Sequence, residues 1–443
     1  ETQGVSSANR NAKRSGDVAE ETSAGRQTGS VDGNRVPTNL AFEDETSFVN
    51  VVTQLAAADG VELNASRPSA KVNYRPEDRR GGVEGGGLGD GAGDGDTETI
   101  RCAVALPVIS EGGPHVSIRK QSADPLTPVD LVELGSIPTE LVALLWMLYE
   151  HHRVVLFSGA TGVGKTTLMN AHMPFIPYDH RPVSIDEGSR EVHLPHETGV
   201  SLTTRDHENE FKRVSMADLM TEANYLNPDV EVIAEVNTPA SFETFAEVLN
   251  TGHGVIGTTH AEDVETLVNR VIEQGLPAYL LRELDLVVFP RRIDGTRYVG
   301  EVIELVDESG YDALPASARK GVIEKDGRVL RWNTVLRRET DGTFSMQYDH
   351  PRMGDDHRRL SHRVFHRIAA ATDREVEAVE AEFHRKHGYV QYFVKEGVGD
   401  FDRLFAFLSD LRTDEAATVE RVRRRMADGR SADVGGDEGD ARE

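Results

Sequence analysis

The sequence predicts an α/β protein whose main domain holds a mostly parallel sheet covered on both faces, and three observations carry that prediction. The apolar runs RVVLFS, RPVSIDE, VEVIAEV and GVIGTTHA recur with helix-length segments between them. Near-continuous apolar runs at that period are what a parallel sheet buried on both faces requires. Directly after the first run comes GATGVGKTT, in which Gly159, Gly164, Lys165 and Thr166 hold the fixed positions of G-x-x-x-x-G-K-S/T. Finally, LDLVVFP and RYVGEVIELV follow each other closely enough to suggest a hairpin closing the alternation.

The elements follow in chain order. Residues 1–36 are rich in Ser, Gly, Asn and Thr and are expected to be a disordered tail. A small α/β domain is expected over 37–125, with Phe48, Val51, Val52 and Leu55 at helical spacing between strand-like runs. A Gly/Asp-rich stretch over about 79–98 cannot bury a core and reads as a flexible hairpin insertion, after which TIRCAVALPVI and HVSIRK resume as strands. Residues 126–137 read as a linker that leads to a helix through Leu141, Leu144, Leu145 and Leu148. The main α/β domain is expected over 138–330. From Arg331 to 427 the chain reads as polar and helical, with Thr372 and Glu375 as a capping box before Val376, Val379 and Phe383, and a second stripe at Leu404, Phe407, Leu408 and Leu411. Residues 428–443 read as a disordered acidic tail.

Composition bounds the function. The 443 residues carry 75 Asp+Glu against 49 Lys+Arg, a formal net charge of −26, and only nine of the cations are lysine. That balance resembles proteins that stay soluble at very high salt, where self-repulsion is screened. It disfavours a surface that binds nucleic acid as a whole, without excluding a locally basic pore. A single cysteine, Cys102, rules out an intrachain disulfide and reads as core. No run approaches eighteen apolar residues and no signal pattern opens the chain, so a cytoplasmic location without a transmembrane segment is expected. The chain starts at Glu1 rather than Met, so some N-terminal sequence is expected to be missing.

The glycine-rich loop carries the chemistry. Gly159, Gly162 and Gly164 let the backbone wrap so that successive N–H groups and a helix N-terminus face phosphate oxygens. Lys165 would reach the β- and γ-phosphates, and Thr166 would offer a hydroxyl to Mg²⁺. Thr161 and Thr167 complete the expected nucleotide-binding run. In an open α/β sheet the remaining chemistry should come from neighbouring strand ends. Asp186 and Glu187, with Glu191 shortly after, end one run; Glu235 ends the next; Thr258, Thr259 and His260 end the third. Carboxylates and an imidazole there would complete a magnesium shell, orient water and sense a γ-phosphate, with Glu235 also a candidate metal ligand. Arg205, in SLTTRD, is a candidate to face phosphate across a subunit boundary or to form a plain salt bridge. His193, His196, Glu197 and His207 fit no standard zinc spacing. His151 and His152 read as the C-terminal cap of a helix, and His253 lies on the approach to the third strand.

The order and spacing of four stretches resemble the secretion ATPases of the type II/type IV superfamily, the GspE/PilT-like motors, most closely their archaeal branch. GATGVGKTT is similar to the Walker A box, SIDEGSREVHLPH to the Asp box, LNPDVEVIAEVNT to the Walker B box and TGHGVIGTTHAED to the His box. HVSIRKQSADPLTPVDLVELG resembles the junction between N-terminal and motor domains, so that Arg119 would contact nucleotide phosphate from the N-terminal side. The resemblance implies a RecA-like P-loop NTPase motor domain, a smaller N-terminal α/β domain and a helical C-terminal appendage. It further implies hydrolysis of ATP with Mg²⁺ by a homo-hexamer, peripheral on the inner face of the cell membrane. A polytopic membrane platform protein and pilin-like or secreted substrates would be its partners, with the stroke carried by a hinge at Leu126–Asp130. Two departures stand out. Ala234, Asn237 and Thr238 replace the Gly, Arg and Asp that usually frame the Walker B glutamate, and Asp186–Glu187 reverses the usual Glu-Asp order with one extra residue before Glu191. Which carboxylate plays which role is therefore open. Two alternatives stand beside the motor: a DNA-translocating, conjugation-type ATPase, and a nucleotide-gated scaffold with little turnover.

Overall fold

A computed structural model describes residues 28–31, 34–37, 44–74, 100–120, 125–187, 191–205, 209–274, 278–314, 316, 318–325, 327–346 and 363–434. The chain divides into two compact units, one ending at Gln121 and the other running through Ser122–Glu443.

The first unit opens with an antiparallel pair, β1 (Thr28–Val31) and β2 (Asn34–Pro37), inside the segment expected to be disordered; the rest of that segment lies outside the described residues. Helix α1 (Glu45–Ala58) starts at Asp44, whose carboxylate accepts the Ser47 N–H at 2.7 Å. It packs on the antiparallel sheet β3 (Ser69–Tyr74), β4 (Ile100–Ala105) and β5 (His115–Lys120). Val52, Ala56, Val72, Cys102 and Val104 fill the core, so Cys102 is the buried apolar residue that its neighbours suggested. The Gly/Asp-rich stretch joins β3 to its antiparallel neighbour β4 and lies outside the described residues.

The second unit begins with α2 (Pro128–Glu133), a helix within the segment read as a linker. The pattern was missed because its apolar run is a single turn, but the capping is complete. Asp130 N–H donates to Thr127 Oγ1 at 3.3 Å, Thr127 N–H donates to the Asp130 carboxylate at 2.7 Å, and Pro128 presets the first turn. Helix α3 (Thr139–Glu150) follows, with Leu141, Leu144, Leu145 and Leu148 fully buried and His151 as its C-cap.

The alternation of strands and helices then runs β6 (Val154–Ser158), α4 (Lys165–Ala171), β7 (Pro182–Asp186), β8 (Val200–Thr203), α5 (Met216–Tyr225), β9 (Val230–Ile233), α6 (Pro239–Val248), β10 (Gly254–Thr259) and α7 (Val264–Glu273). The hairpin β11 (Leu286–Ile293) and β12 (Thr296–Val306) turns on Asp294 and Gly295, both left-handed, with φ of 49° and 85°. Helix α8 (Glu308–Ala313), β13 (Lys320–Lys325), β14 (Arg328–Arg338) and β15 (Phe344–Met346) follow. The sheet order is β13-β14-β12-β11-β6-β10-β9-β7-β8, with β15 on β14, and the run from β11 to β8 is parallel throughout. Strand β8 was not expected; at four residues, with one flank polar, it carries little periodicity. In β6, Val155 and Phe157 face the core formed with α3 and α4, while Val154 and Leu156 face the core formed with α5, α6 and α7.

The stretch from Arg331 was expected to be helical, and the structure corrects this. RVLRWNTVLRR is a long strand that extends the sheet, its β-branched and aromatic Val329, Trp332, Thr334 and Val335 outweighing the arginines that make it look polar. Helices resume as α9 (Arg363–Thr372), α10 (Val376–Lys395), α11 (Phe401–Thr413) and α12 (Glu415–Val434). Thr372 does not cap α10. It is the last residue of α9, with its hydroxyl donating to Ile368 O at 2.7 Å, and Asp373 turns the chain with φ of 51°. Helix α12 also continues to Val434, into the segment expected to be a disordered tail. The stripes on α10 and α11 pack where their spacing placed them, for Val379, Phe383, Leu404, Leu408 and Leu411 join the core of α3 and β6.

Candidate functional site

The site is built at the carboxyl ends of β6, β10, β9 and β7. Ser158 ends β6 and donates its hydroxyl to Ala261 O at 2.7 Å, while Gly159 N–H donates to Thr259 O at 3.2 Å, so the ends of β6 and β10 are locked together. Gly159 allows a close approach here: a Cβ would lie 3.0 Å from the carbonyl oxygen of Pro290 on β11 and 3.1 Å from Val163 Cγ2, so a neighbour would have to give way. Gly162 and Gly164 take φ of 80° and 96°, a region that L side chains rarely enter. Gly164 is the N-cap of α4 and makes no side-chain cap, so the first N–H groups of that helix remain for a ligand. Thr161 is exposed in the loop, Thr166 is half-buried and Thr167 exposed in the first turn of α4.

Lys165 is buried beneath the loop, and its Nζ donates to Gly159 O at 2.8 Å and Ala160 O at 3.0 Å and lies 3.3 Å from His260 Nδ1. Burial lowers its pKa, the Glu235 and Glu191 carboxylates act against that shift, and Arg270 adds to it. Among the described residues no carboxylate pairs directly with this ammonium, so its formal partners are carbonyls and a ring nitrogen, groups that an anionic phosphate would replace.

Glu235 lies two residues beyond β9, and its Oε1 is 2.5 Å from His260 Nε2. An ammonium can only donate, so His260 accepts through Nδ1 and carries its proton on Nε2, pointed at Glu235. Asn237 Nδ2 donates to the same carboxylate oxygen at 3.0 Å. Both partners remain within reach of solvent, with 34% of the Glu235 side chain and 27% of the His260 side chain exposed.

Asp186, at the end of β7, is buried and accepts the Glu191 N–H on Oδ2 at 2.6 Å. Its carboxylate therefore fixes the loop that carries Glu191. Asn170 of α4 ties the same segment to the phosphate-loop helix, donating to Glu191 O and accepting the His193 N–H at 3.2 Å. Glu187 is half-buried just past β7, at the edge of the residues 188–190 that lie outside the described chain.

The two candidate arginines are placed differently. Arg119 lies in β5 of the first unit, opposite Arg101, and its side chain is outside the described residues. Arg205 is exposed, and its backbone bridges Val214 with bonds of 3.0 and 2.9 Å; among the described residues its side chain makes no bond to the loop. The histidines passed over as a zinc set are engaged elsewhere. The His193 ring meets Phe401 edge-on at 5.2 Å, His196 Nε2 lies 2.8 Å from Ile176 O, and His207 is outside the described residues. His253 Nδ1 sits 3.4 Å from Glu231.

The roles of four residues around the site were not found in the sequence. Asn237 stands where an arginine was expected and orients Glu235 instead. Thr238, next to it, is the N-cap of α6, with Ser241 completing the capping box. Arg270, on α7, donates to His260 O at 3.2 Å and to Asn237 O at 3.3 Å, holding the two strand ends in one frame. Its position in an amphipathic helix gave no sign of this. Arg297, at the start of β12, donates through Nε to Gly162 O at 3.0 Å.

Residues 95–297 match the family described as type II/IV secretion system protein. An uncharacterised protein of Methanocaldococcus jannaschii, MJ1287, is 32% identical over 210 residues, which span 46% of this chain and 75% of that protein. The chain belongs to the type II/IV secretion system protein family. A second protein of that organism, MJ0900, is 26% identical over 279 residues, covering 62% of this chain and 46% of its own length, so the chain spans about half of that relative. The conjugal transfer protein TrbB of Rhizobium radiobacter is 31% identical over 211 residues, 45% of this chain and 62% of that protein. With the loop between β6 and α4 and the parallel order around it, the family's RecA-like P-loop fold is present, preceded by a smaller α/β unit and followed by C-terminal helices.

Proposed function

We propose that this chain is an ATPase that converts ATP and water to ADP and phosphate in a Mg²⁺-dependent manner. It works as a ring of six on the cytoplasmic face of the membrane to drive secretion or the assembly of a pilus- or archaellum-like filament. The observation that carries the reading is the alignment of Lys165, at the head of α4, with His260 and Glu235, just past two neighbouring strands, beneath a loop of two left-handed glycines. The residues fit the ligands. The loop's N–H groups and Lys165 would hold the β- and γ-phosphates, with Gly159, Thr161, Gly162, Gly164 and Thr167 shaping the cradle. Thr166 and Glu235 would hold Mg²⁺, which when bound draws charge off the phosphates. Glu235, fixed by Asn237 and His260, orients the attacking water; His260 links that carboxylate to Lys165 and so to the γ-phosphate; Glu191 adds negative charge near the ammonium, and Asp186 positions it. Glu187, just past β7, is a further candidate for the same shell. Arg119 and Arg205 would reach the nucleotide from outside the loop.

A polytopic membrane platform protein and pilin-like or secreted substrates are the partners this reading requires. The likeness to a protein named for conjugal transfer favours one second reading, a motor that moves DNA. Phosphate release in molar salt with Mg²⁺, measured with and without EDTA and single-stranded DNA, tests all of this. Mg²⁺-dependent turnover indifferent to DNA supports the secretion motor, and strong stimulation by DNA supports the second reading. Tight ATP binding without turnover would leave a nucleotide-gated scaffold.

A further inference from the structure

We infer that Arg297 is a positioning residue of the phosphate loop, and that Ser136–Arg297–Gly162 forms a strap tying the shape of that loop to the junction helix α2. The inference rests on the phosphate-loop reading above. A loop that turns its N–H groups toward a ligand must turn carbonyls away from it, and each of those needs a donor. Lys165 takes the carbonyls of Gly159 and Ala160, and Arg297 Nε takes that of Gly162 at 3.0 Å. The contact extends along the loop, for a Cβ on Gly164 would lie 3.3 Å from Arg297 Cδ.

The hairpin is built to hold the arginine there. Strand β11 is paired with β6 only as far as Val288 with Phe157, then shifts register at Phe289/Pro290 and overhangs the end of β6, bringing Pro290 against Gly159. Arg297 pairs with Arg292 across the hairpin. Its own carbonyl accepts the Ser136 hydroxyl at 2.8 Å, and Val299 N–H donates to Ser136 O at 2.9 Å. Ser136 in turn closes the end of α2, its N–H donating to Leu131 O at 2.9 Å, and Arg338 Nη1 holds the adjacent Gly135 O at 3.1 Å. An unbroken run of hydrogen bonds thus leads from α2 to the loop. A change in the Gly162 peptide is felt at Arg297 and passed to the helix that begins the second unit.

The test measures the dissociation constant of a fluorescent ADP with Mg²⁺ on the full chain in molar salt. Arg297→Gln should weaken binding about fivefold, the scale of one hydrogen bond net of solvation. Arg297→Lys, which keeps a cationic donor, should recover part of that loss. Ser136→Ala should weaken binding in the same direction, and adding it to Arg297→Gln should change little, because Ser136 acts through Arg297. A merely structural arginine would lower the unfolding midpoint and leave the affinity of the folded protein unchanged. Binding by Arg297→Gln indistinguishable from the unaltered chain overturns the positioning role. Independent, multiplying penalties for Ser136→Ala and Arg297→Gln overturn the strap. Lys165→Ala serves as the reference: if it too binds normally, the phosphate-loop reading itself falls, whereas a damaged Lys165→Ala beside a normal Arg297→Gln removes the strap alone.

Discussion

His260 Nε2 and Glu235 Oε1 lie 2.5 Å apart, joining the ends of two neighbouring parallel strands through one proton. The carboxylate is held from a second side by Asn237, at 3.0 Å, so that its free oxygen has a defined direction. Glu235→Gln keeps the shape but loses the basic oxygen. It should retain ATP with near-normal affinity while hydrolysis falls by roughly two to four orders of magnitude, the range of a positioned acid–base group. Single-turnover assays beside equilibrium binding check this. Normal hydrolysis by Glu235→Gln, with loss in Asp186→Asn, would mean that the two strand ends have been assigned the wrong way round.

Lys165→Ala should abolish turnover and weaken ATP binding together, because the ammonium buried beneath the loop is removed from its cradle. Near-normal phosphate release from the purified variant would refute the assignment of the loop.

At least one of Arg119 and Arg205 is expected to contribute charge to the γ-phosphate, and mixed rings test whether it does so across a subunit boundary. Mixing Arg119→Ala or Arg205→Ala chains with Lys165→Ala chains should restore partial activity, because some sites then combine an intact loop with an intact arginine. An arginine acting on the γ-phosphate can contribute about 10³–10⁵ in rate, and Lys should not replace its bidentate fork. No recovery, together with a monomeric mass by light scattering with an ATP analogue and Mg²⁺, would refute the ring.

Glu231, in the middle of β9, is fully buried, and burial pushes its carboxyl up to about 7. Its folded pKa lies above the unfolded value, so the folded state binds the extra proton between pH 4.5 and about 7. The contribution of Glu231 to stability is therefore greatest below that window and falls as pH rises through it, by an amount on the order of 3 kcal/mol at most. Glu304, also pushed up to about 7, acts in the same direction, and His152, His172 and His196, which burial lowers to about 4, act in the opposite one. Glu231→Gln, which keeps the shape without the charge, should therefore gain stability at pH 8 relative to pH 5, read from denaturation midpoints, when compared with the unaltered chain; an unchanged slope would refute the role of Glu231.

Much of this molecule was legible because its strongest signals are periodic. The four strand runs, the Asp294–Gly295 hairpin and the glycine loop follow from local preference and from burial on both faces. What was missed depends on partners distant in sequence. Strand β14 looks polar because its arginines lie beside Val329, Trp332 and Val335, and only pairing with β12 and β13 makes it a strand. Thr372 and Glu375 have the spacing of a capping box, yet the left-handed turn at Asp373 leaves Thr372 inside the preceding helix. Arg270 and Arg297 act on backbone carbonyls, and no residue pattern records which carbonyl a side chain will meet.

The C-terminal helices carry a practical consequence. Phe383, Phe393, Leu404 and Leu408 share one apolar interior with Trp146, Leu148 and Phe157, whereas Val52, Val72 and Val104 of the first unit form an interior of their own. Anyone building chimaeras from this chain should treat a cut ahead of α9 as a cut through the core that packs on β6, and should carry the four closing helices together with the parallel sheet.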